Sequence, residues 1–348
     1  MFGGKLIGQG TYGCAVMPPL LCKGRARAEQ NESKVGKITV DDDAKTELHI
    51  SKILRESKVW KHYFVLPELR SCEPVPKQRS EDWKECRITQ EVPKNELLQI
   101  VSSYGGRSFS SLGSINLHPR RFNYFQFFQH LLEACAILAL RGVVHYDLHR
   151  ANILVDRYGV PRLLDFGMSF SANELSYEII DNRWKIYDPK YDSETPEVTV
   201  ATGLRKGESF ETVTHAAIFE KPVYNNYEVI FREDREILVE SLQNFCRKSK
   251  SFRNKDWLTV FKTYWPGFDA FSLSAALLNV LRTQLTWPEF VNSPMWQQKG
   301  EIILDILKRM LNPNPSLRYD CVEALSLYDP QNAVLKNSEA WLAARKRE

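Results

Sequence analysis

The sequence predicts an α+β chain folded as two lobes, a small strand-rich lobe followed by a larger helical one. Three observations predict it. Over the first forty residues, short apolar stretches alternate with glycines, the mark of strands and turns. A break at Tyr104-Gly105-Gly106 is then followed by long apolar stretches at helical spacing. And 348 residues, 43% of them hydrophobic and 26% charged, are enough for two domains or one two-lobed unit with a real core.

The elements follow in order. Lys5-Leu6-Ile7 starts a strand that runs into glycines, and Met17–Ser33, with Pro18-Pro19 and a charged run, reads as a loop between strands. Asp41-Asp42-Asp43 suits the positive end of a helix dipole and precedes Leu48, Ile50, Ile53 and Leu54 at helical spacing. Tyr63–Leu69 and Arg87–Val92 are expected as strands. Beyond the break, Phe122–Leu140, Phe268–Leu285 and Glu301–Leu311 are expected as helices, with Pro313 and Pro315 stopping the last. Residues 199–262 read as an insertion without a strong pattern, and Asn337–Glu348 as a short polar helix. The expected division is a first lobe over 1–104 and a second over 105–348, the latter containing the 199–262 insertion.

The net charge of +4 is too small to argue for a nucleic-acid partner. Basic stretches such as Arg247–Lys255 and Arg345–Glu348 lack interleaved aromatic platforms and read as solvated faces. Seven cysteines show no Cys-x-x-Cys spacing, which argues against a zinc site and a disulfide framework, and for unpaired thiols in a reducing compartment. The most apolar stretch, Leu131–Val144, is interrupted by Glu133 and Arg141, so no membrane span is expected. No signal peptide is read at the start, and the expected setting is intracellular and soluble. Asn31-Glu32-Ser33 fits a glycosylation sequon, which matters only in a secreted chain.

Two stretches carry chemistry. Gly8-Gln9-Gly10-Thr11-Tyr12-Gly13 has the spacing of a loop whose backbone N–H groups approach phosphates. Alone it fits a glycine-rich hairpin equally well, and Pro18-Pro19 leaves no room for the helix of a dinucleotide-binding unit. His145-Tyr146-Asp147-Leu148-His149-Arg150-Ala151-Asn152 follows the long apolar helix, and Asp165-Phe166-Gly167 begins 13 residues after Asn152. A carboxylate, an amide five residues on, and a second carboxylate before Phe-Gly form a specific arrangement.

This arrangement resembles the catalytic and metal-binding loops of eukaryotic-type serine/threonine protein kinases. Thr195-Pro196-Glu197 looks like the end of a kinase activation segment. Phe268–Ser274 looks like the start of the kinase central helix, with Asp269 bracing the catalytic loop, and Leu311–Arg318 like the late motif whose arginine, Arg318, pairs with Glu197. The resemblance implies a protein-kinase-like fold: a small antiparallel sheet with one helix, and a mainly helical second lobe. The Gly10–Cys14 start, Pro18-x-Leu20-x-Cys22 and the Ala44–Glu47 helix are similar to the serine/threonine kinases of nucleocytoplasmic large DNA viruses. That kinship would place the chain in host cytoplasm or the virion.

The resemblance implies site residues. Gly8, Gly10 and Gly13 cover the ATP phosphates between the lobes, and Lys37, held by Glu47, positions the α- and β-phosphates. Lys34 rivals Lys37, and Glu56 is the alternative to Glu47. Asn152 and Asp165 hold Mg²⁺, with Mn²⁺ as a substitute, and Asp147 acts as the base toward a protein Ser or Thr hydroxyl. Met168 leans toward serine as acceptor. Three positions depart from the pattern. Tyr146 replaces the arginine that receives a phosphorylated activation loop, so no such switch is expected. His149 replaces a lysine near the γ-phosphate and is shared with small-molecule phosphotransferases. Ala15 stands where a valine covers adenine, with Val16 as its substitute. The alternatives are a small-molecule phosphotransferase and a pseudokinase scaffold; retention of Lys37, Asp147, Asn152 and Asp165 argues against the second.

Overall fold

The computed structural model describes residues 4–10, 13–24, 33–75 and 85–345. Thr11 and Tyr12 of the glycine motif, the 25–32 part of the expected loop with Asn31 and Glu32 of the sequon, and residues 346–348 of the terminal segment lie outside the described residues. The chain divides into two compact units, Met1–Gly106 with Arg162–Ser169, and Arg107–Pro161 with Phe170–Glu348.

The first unit is built on an antiparallel sheet of β1 (Lys5–Gly10), β2 (Gly13–Met17), β3 (Lys34–Val40), β4 (Ser71–Cys72) and β5 (Leu97–Ser103), in the order β1-β2-β3-β5-β4. Val16, Ile38 and Leu97 fill its apolar cluster together with Leu20 and Ile88. β3 passes directly into α1 (Asp41–Arg55), whose first turn carries the three aspartates and whose last turn carries Lys52 and Arg55, both favourable to the helix dipole.

Two expected strands are corrected here. Tyr63–Leu69 is not a strand: a helical turn covers Trp60–Tyr63, and only Phe64 makes an isolated bridge, to Leu163. Arg87–Val92 is a helical turn at Ile88–Glu91, stopped before Pro93, and the strand lies further on at β5. Thr39, Gln99 and Ile38 share that sheet because β5 pairs with β3 along its whole length, a register that short apolar runs do not reveal.

The expectation of unpaired cysteines is also corrected. Cys14 bridges Cys86 and Cys22 bridges Cys72, with Cα separations of 5.9 and 5.8 Å. The partners stand 72 and 50 residues apart, so no local spacing announces them. The inference of a reducing compartment rested on unpaired thiols, and the two bridges remove that ground. Cys135, Cys246 and Cys321 are free and buried.

The second unit is helical. α2 (Tyr124–Leu140) is capped by the Asn123 side chain, which accepts from Gln126 N–H, and is buried on most of its surface. The 199–262 region, expected to lack strong patterns, is a run of helices: α3 (Pro196–Lys206), α4 (Phe210–Phe219), α5 (Pro222–Phe231), α6 (Arg235–Lys248) and α7 (Trp257–Tyr264). Proline at the first helical position starts α3 and α5, while Ser209, Asp234 and Asp256 cap α4, α6 and α7. These start signals escape an apolar-periodicity reading. α8 (Phe268–Gln284) runs through the core, and α9 (Pro294–Met310) begins at Ser293-Pro294, earlier than expected. A capping box between Asp320 and Glu323 starts α10 (Cys321–Tyr328), and α11 (Glu339–Ala344) ends the described chain. No helix among the described residues is long and apolar enough to cross a membrane.

Candidate active site

In the first unit, strand alternation and the β3–α1 junction bring Lys37 and Glu47 together. Lys37 pairs with Ala15 on one side and Ile100 on the other, in the middle of the sheet. Its Nζ donates to Glu47 Oε2 at 2.7 Å and to Asp165 Oδ1 at 2.5 Å. Burial alone would lower the Lys37 pKa, but the Asp165 and Glu47 carboxylates outweigh it and hold the ammonium well above the usual lysine value. Lys34 instead pairs with Glu68, and Glu56 lies at the C-terminal cap of α1.

Asp165 reaches Lys37 because its segment is tied to the same unit. Val65 N–H donates to Leu163 O at 2.8 Å, and the buried Phe166 ring meets Phe64 edge-on with centroids 5.9 Å apart. Asp165 itself adopts a left-handed φ of 65°, a conformation costly for a side-chain-bearing residue and concentrated at functional sites.

Gly8, Gly10 and Gly13 lie on the β1–β2 hairpin, Gly10 opposite Gly13. Among the described residues, packing demands glycine at Gly13, where a Cβ would stand 2.4 Å from Ile38 O, whereas Gly10 meets nothing within 4 Å and Gly8 meets Ala15 at 3.9 Å. At the first two positions, packing leaves glycine unexplained, which fits a backbone kept bare for close approach.

In the second unit, Asp147 lies on a loop braced from α8. Asp269 accepts from His145 N–H at 2.7 Å and Tyr146 N–H at 3.0 Å. Tyr146, at φ 64°, is buried among Phe170, Phe261 and Phe268. An aromatic core thus occupies the position where the resemblance expects an arginine. Asn152 Nδ2 donates to Asp147 O at 2.9 Å, which ties the amide to the loop that carries Asp147.

Among the described residues, Lys185, Tyr191 and His149 surround the Asp147 carboxylate. Lys185 Nζ donates to Oδ1 at 2.8 Å, Tyr191 O–H to the same oxygen at 2.5 Å, and His149 Nε2 stands 3.6 Å from Oδ2. Burial works to raise the Asp147 pKa, but His149, Lys185 and Tyr191 overcome it and hold the carboxyl far below its usual range. His149 Nδ1 accepts from Ala151 N–H at 3.1 Å, which leaves Nε2 to face both Asp147 Oδ2, at 3.6 Å, and Asn152 Nδ2, at 3.3 Å. Sequence reading missed Lys185 and Tyr191. Both lie between Asp165-Phe166-Gly167 and Thr195-Pro196-Glu197, where no spacing distinguishes them from other polar residues.

Behind this segment, Thr195 and Pro196 start α3, which places Glu197 in its first turn. Glu197 is clasped by Arg318 through two bonds, at 2.8 and 2.7 Å. Lys221, fully buried, donates to Tyr191 O at 2.7 Å, and Asp192 accepts from Val223 N–H at 2.6 Å.

Comparisons with known proteins agree on the family. The family model for protein tyrosine and serine/threonine kinases matches residues 3–190. Mitogen-activated protein kinase 4 of Oryza sativa is 24% identical over 344 residues, covering 94% of this chain and 79% of that protein. CBL-interacting serine/threonine-protein kinase 20 of Arabidopsis thaliana is 24% identical over 168 residues, 48% of this chain and 32% of that protein, so the match spans only about a third of its length. Among solved structures, the rhoptry antigen kinase domain of Toxoplasma gondii aligns with a TM-score of 0.50 at 12% identity, covering 98% of this chain and 81% of that one. That likeness shows a kinase-like fold, with an antiparallel-sheet lobe and a helical lobe. Since the family model matches more than half of its residues, the chain belongs to the protein tyrosine and serine/threonine kinase family.

Proposed function

We propose that this chain is an ATP-dependent kinase that transfers the γ-phosphoryl group to Ser or Thr hydroxyls of proteins. The observation that carries this reading is the Lys37 ammonium held between Glu47 and Asp165. In kinases this lysine–glutamate pair must be in place for the phosphates to be positioned. The reading keeps a first lobe over 1–104 and a second over 105–348.

The donor set fits the implied cofactor. Asp165 keeps a partly exposed carboxylate and Asn152 an amide oxygen, and hard oxygen donors of this kind suit Mg²⁺, with Mn²⁺ as a substitute. Bound Mg²⁺–ATP would supply the phosphoryl group and neutralise its charge. Gly8, Gly10 and Gly13 offer backbone N–H groups to the phosphates, and Lys37 orients them. Asp147, ionised at neutral pH, accepts the proton of the attacking hydroxyl. The transition state is loose, so positioning and charge neutralisation do most of the work, and Asp147 needs no raised pKa.

His149 beside Asp147 supports a second reading, a small-molecule phosphotransferase, because those enzymes share a histidine at this position. Kinship with the kinases of nucleocytoplasmic large DNA viruses is proposed on the Gly10–Cys22 stretch and the Ala44–Glu47 helix. Transfer from γ-labelled ATP with Mg²⁺ or Mn²⁺ to basic and acidic proteins, beside a metabolite panel, tests the reading. Label on Ser or Thr that disappears in Asp147→Asn is the expected result. Full transfer by Asp147→Asn, or label only on metabolites, overturns it.

A further inference from the structure

The Asp147 carboxylate is engaged asymmetrically. Oδ1 receives both Lys185 Nζ, at 2.8 Å, and the Tyr191 hydroxyl, at 2.5 Å. Among the described residues, Oδ2 faces only the His149 ring, at 3.6 Å, beyond an ordinary hydrogen bond. Rotation of a carboxylate about its last torsion is broad and roughly two-fold, so the two oxygens are interchangeable unless something distinguishes them. Two donors on one oxygen, one of them charged, do so.

Lys185 is itself clamped. A lysine stem is flexible and its ammonium is a mobile point charge. Here the Nζ also donates to Tyr146 O at 2.9 Å and lies over the Tyr146 and Tyr191 rings, 5.0 and 4.7 Å from their centroids. Its side chain is only 13% exposed. The second donor is anchored from behind, because the buried Lys221 holds the Tyr191 carbonyl at 2.7 Å. Lys185 and Tyr191 thus come from one segment that reaches back to the loop carrying Asp147.

We propose that Lys185 is the positioning residue of Asp147: with the Tyr191 hydroxyl it occupies Oδ1 and presents Oδ2 to the acceptor hydroxyl. The inference rests on Asp147 being the base. In the step, the acceptor O–H bond breaks and its proton passes to Oδ2. The acceptor oxygen bonds to the γ-phosphorus of the nucleoside triphosphate as the bond to the departing diphosphate breaks. A base misplaced by about 1 Å costs on the order of 100-fold in rate, so an unlocked carboxylate lowers turnover and leaves nucleotide affinity alone.

The test is steady-state kinetics of Lys185→Met, Lys185→Arg and Tyr191→Phe on an unphosphorylated protein substrate, with Asp147→Asn as reference and melting curves with and without Mg²⁺–ATP. Lys185→Met is expected to lower kcat roughly 30- to 100-fold, with KM for ATP within about twofold and the ATP-induced melting shift retained. Lys185→Arg, which keeps the charge, is expected to recover most of the loss. Tyr191→Phe, which keeps the ring, is expected to lower kcat severalfold by itself. Should Lys185→Met fail to fold, the arginine and phenylalanine variants decide: wild-type kcat in Tyr191→Phe, or a loss in Lys185→Arg as deep as in Asp147→Asn, overturns the proposal. Wild-type kcat in Lys185→Met, or a change confined to KM, also overturns it. If Asp147→Asn loses transfer while Lys185→Met does not, only this inference falls. If Asp147→Asn retains transfer, the assignment of the base falls with it.

Discussion

Arg318 grips Glu197 with both arms of its guanidinium, Nη1 to Oε1 at 2.8 Å and Nη2 to Oε2 at 2.7 Å, and both side chains are wholly buried. The Arg318 Nε is satisfied as well, donating to Asn312 O at 2.9 Å. The pair ties the start of α3 to the loop before α10, two stretches far apart in sequence. A buried ion pair stabilises little relative to an apolar one, but losing one partner leaves a buried charge uncompensated. Arg318→Ala and Glu197→Ala are each expected to cost about 3–5 kcal/mol in urea unfolding. The double variant is expected to cost less than the sum of the two, which a double-mutant cycle measures.

Lys37 and Lys34 lie on the same strand and separate two kinds of ion pair. Lys37 joins Glu47 and Asp165 with its side chain only 19% exposed, whereas the Lys34–Glu68 pair is about a third exposed on both sides. Exposed pairs contribute about 0–1 kcal/mol. Lys34→Met is therefore expected to stay within ~1 kcal/mol of wild type and to remain active. Lys37→Met is expected to lose transfer by at least on the order of 100-fold, since charge neutralisation at the phosphates goes with it. Parallel transfer assays on the two variants check this, and an active Lys37→Met would remove Lys37 from the site.

The two disulfides make stability redox-dependent. They close loops with separations of 72 and 50 residues, and in the chain-entropy view each is worth about 4 kcal/mol, with 2–4 kcal/mol typical in practice. Peptide mapping without reductant is expected to recover Cys14–Cys86 and Cys22–Cys72. Dithiothreitol is expected to lower the melting temperature by several degrees, and a Cys14→Ser, Cys22→Ser double variant is expected to lose that sensitivity. An unchanged melting temperature in reductant would contradict the pairing.

Lys221 gives stability a pH dependence at alkaline pH. Burial pushes its pKa down to about 8 from an ordinary value of 10.5. The unfolded chain therefore binds the proton more tightly than the folded one. Burying the charged form costs roughly 3 kcal/mol below pH 8, and the cost fades as pH rises from about 8 to 10.5. Wild type is therefore expected to gain roughly 2 kcal/mol relative to Lys221→Met between pH 7 and pH 10. Urea titrations of both proteins across that range measure it; a constant difference would mean that Lys221 does not titrate there.

Much of the fold was legible in the sequence, and the reasons are local. The glycine-spaced hairpin, the acidic start of α1 and the apolar runs of α2 and α8 express backbone propensity and periodicity, both encoded in neighbouring residues. Tyr63–Leu69 and Arg87–Val92 misled because short apolar runs do not say which partner strand they meet; pairing with β3 went to Leu97–Ser103 instead. The helices between Pro196 and Tyr264 were missed because proline and capping residues, more than an apolar stripe, announce them.

By itself the sequence determined a strand-rich first part and a helix-rich second part, the kinase resemblance and the residues around which a site could form, because motif spacing is a property of the chain. Only the tertiary structure decided which groups meet. It set Lys37, rather than Lys34, between Glu47 and Asp165, and it joined Cys14 to Cys86 and Cys22 to Cys72. It also delivered Lys185 and Tyr191 to Oδ1 of Asp147 from 38 and 44 residues away. Charge pairing and thiol pairing act over a few ångströms of space, and a folded chain brings within that range residues that no linear spacing connects.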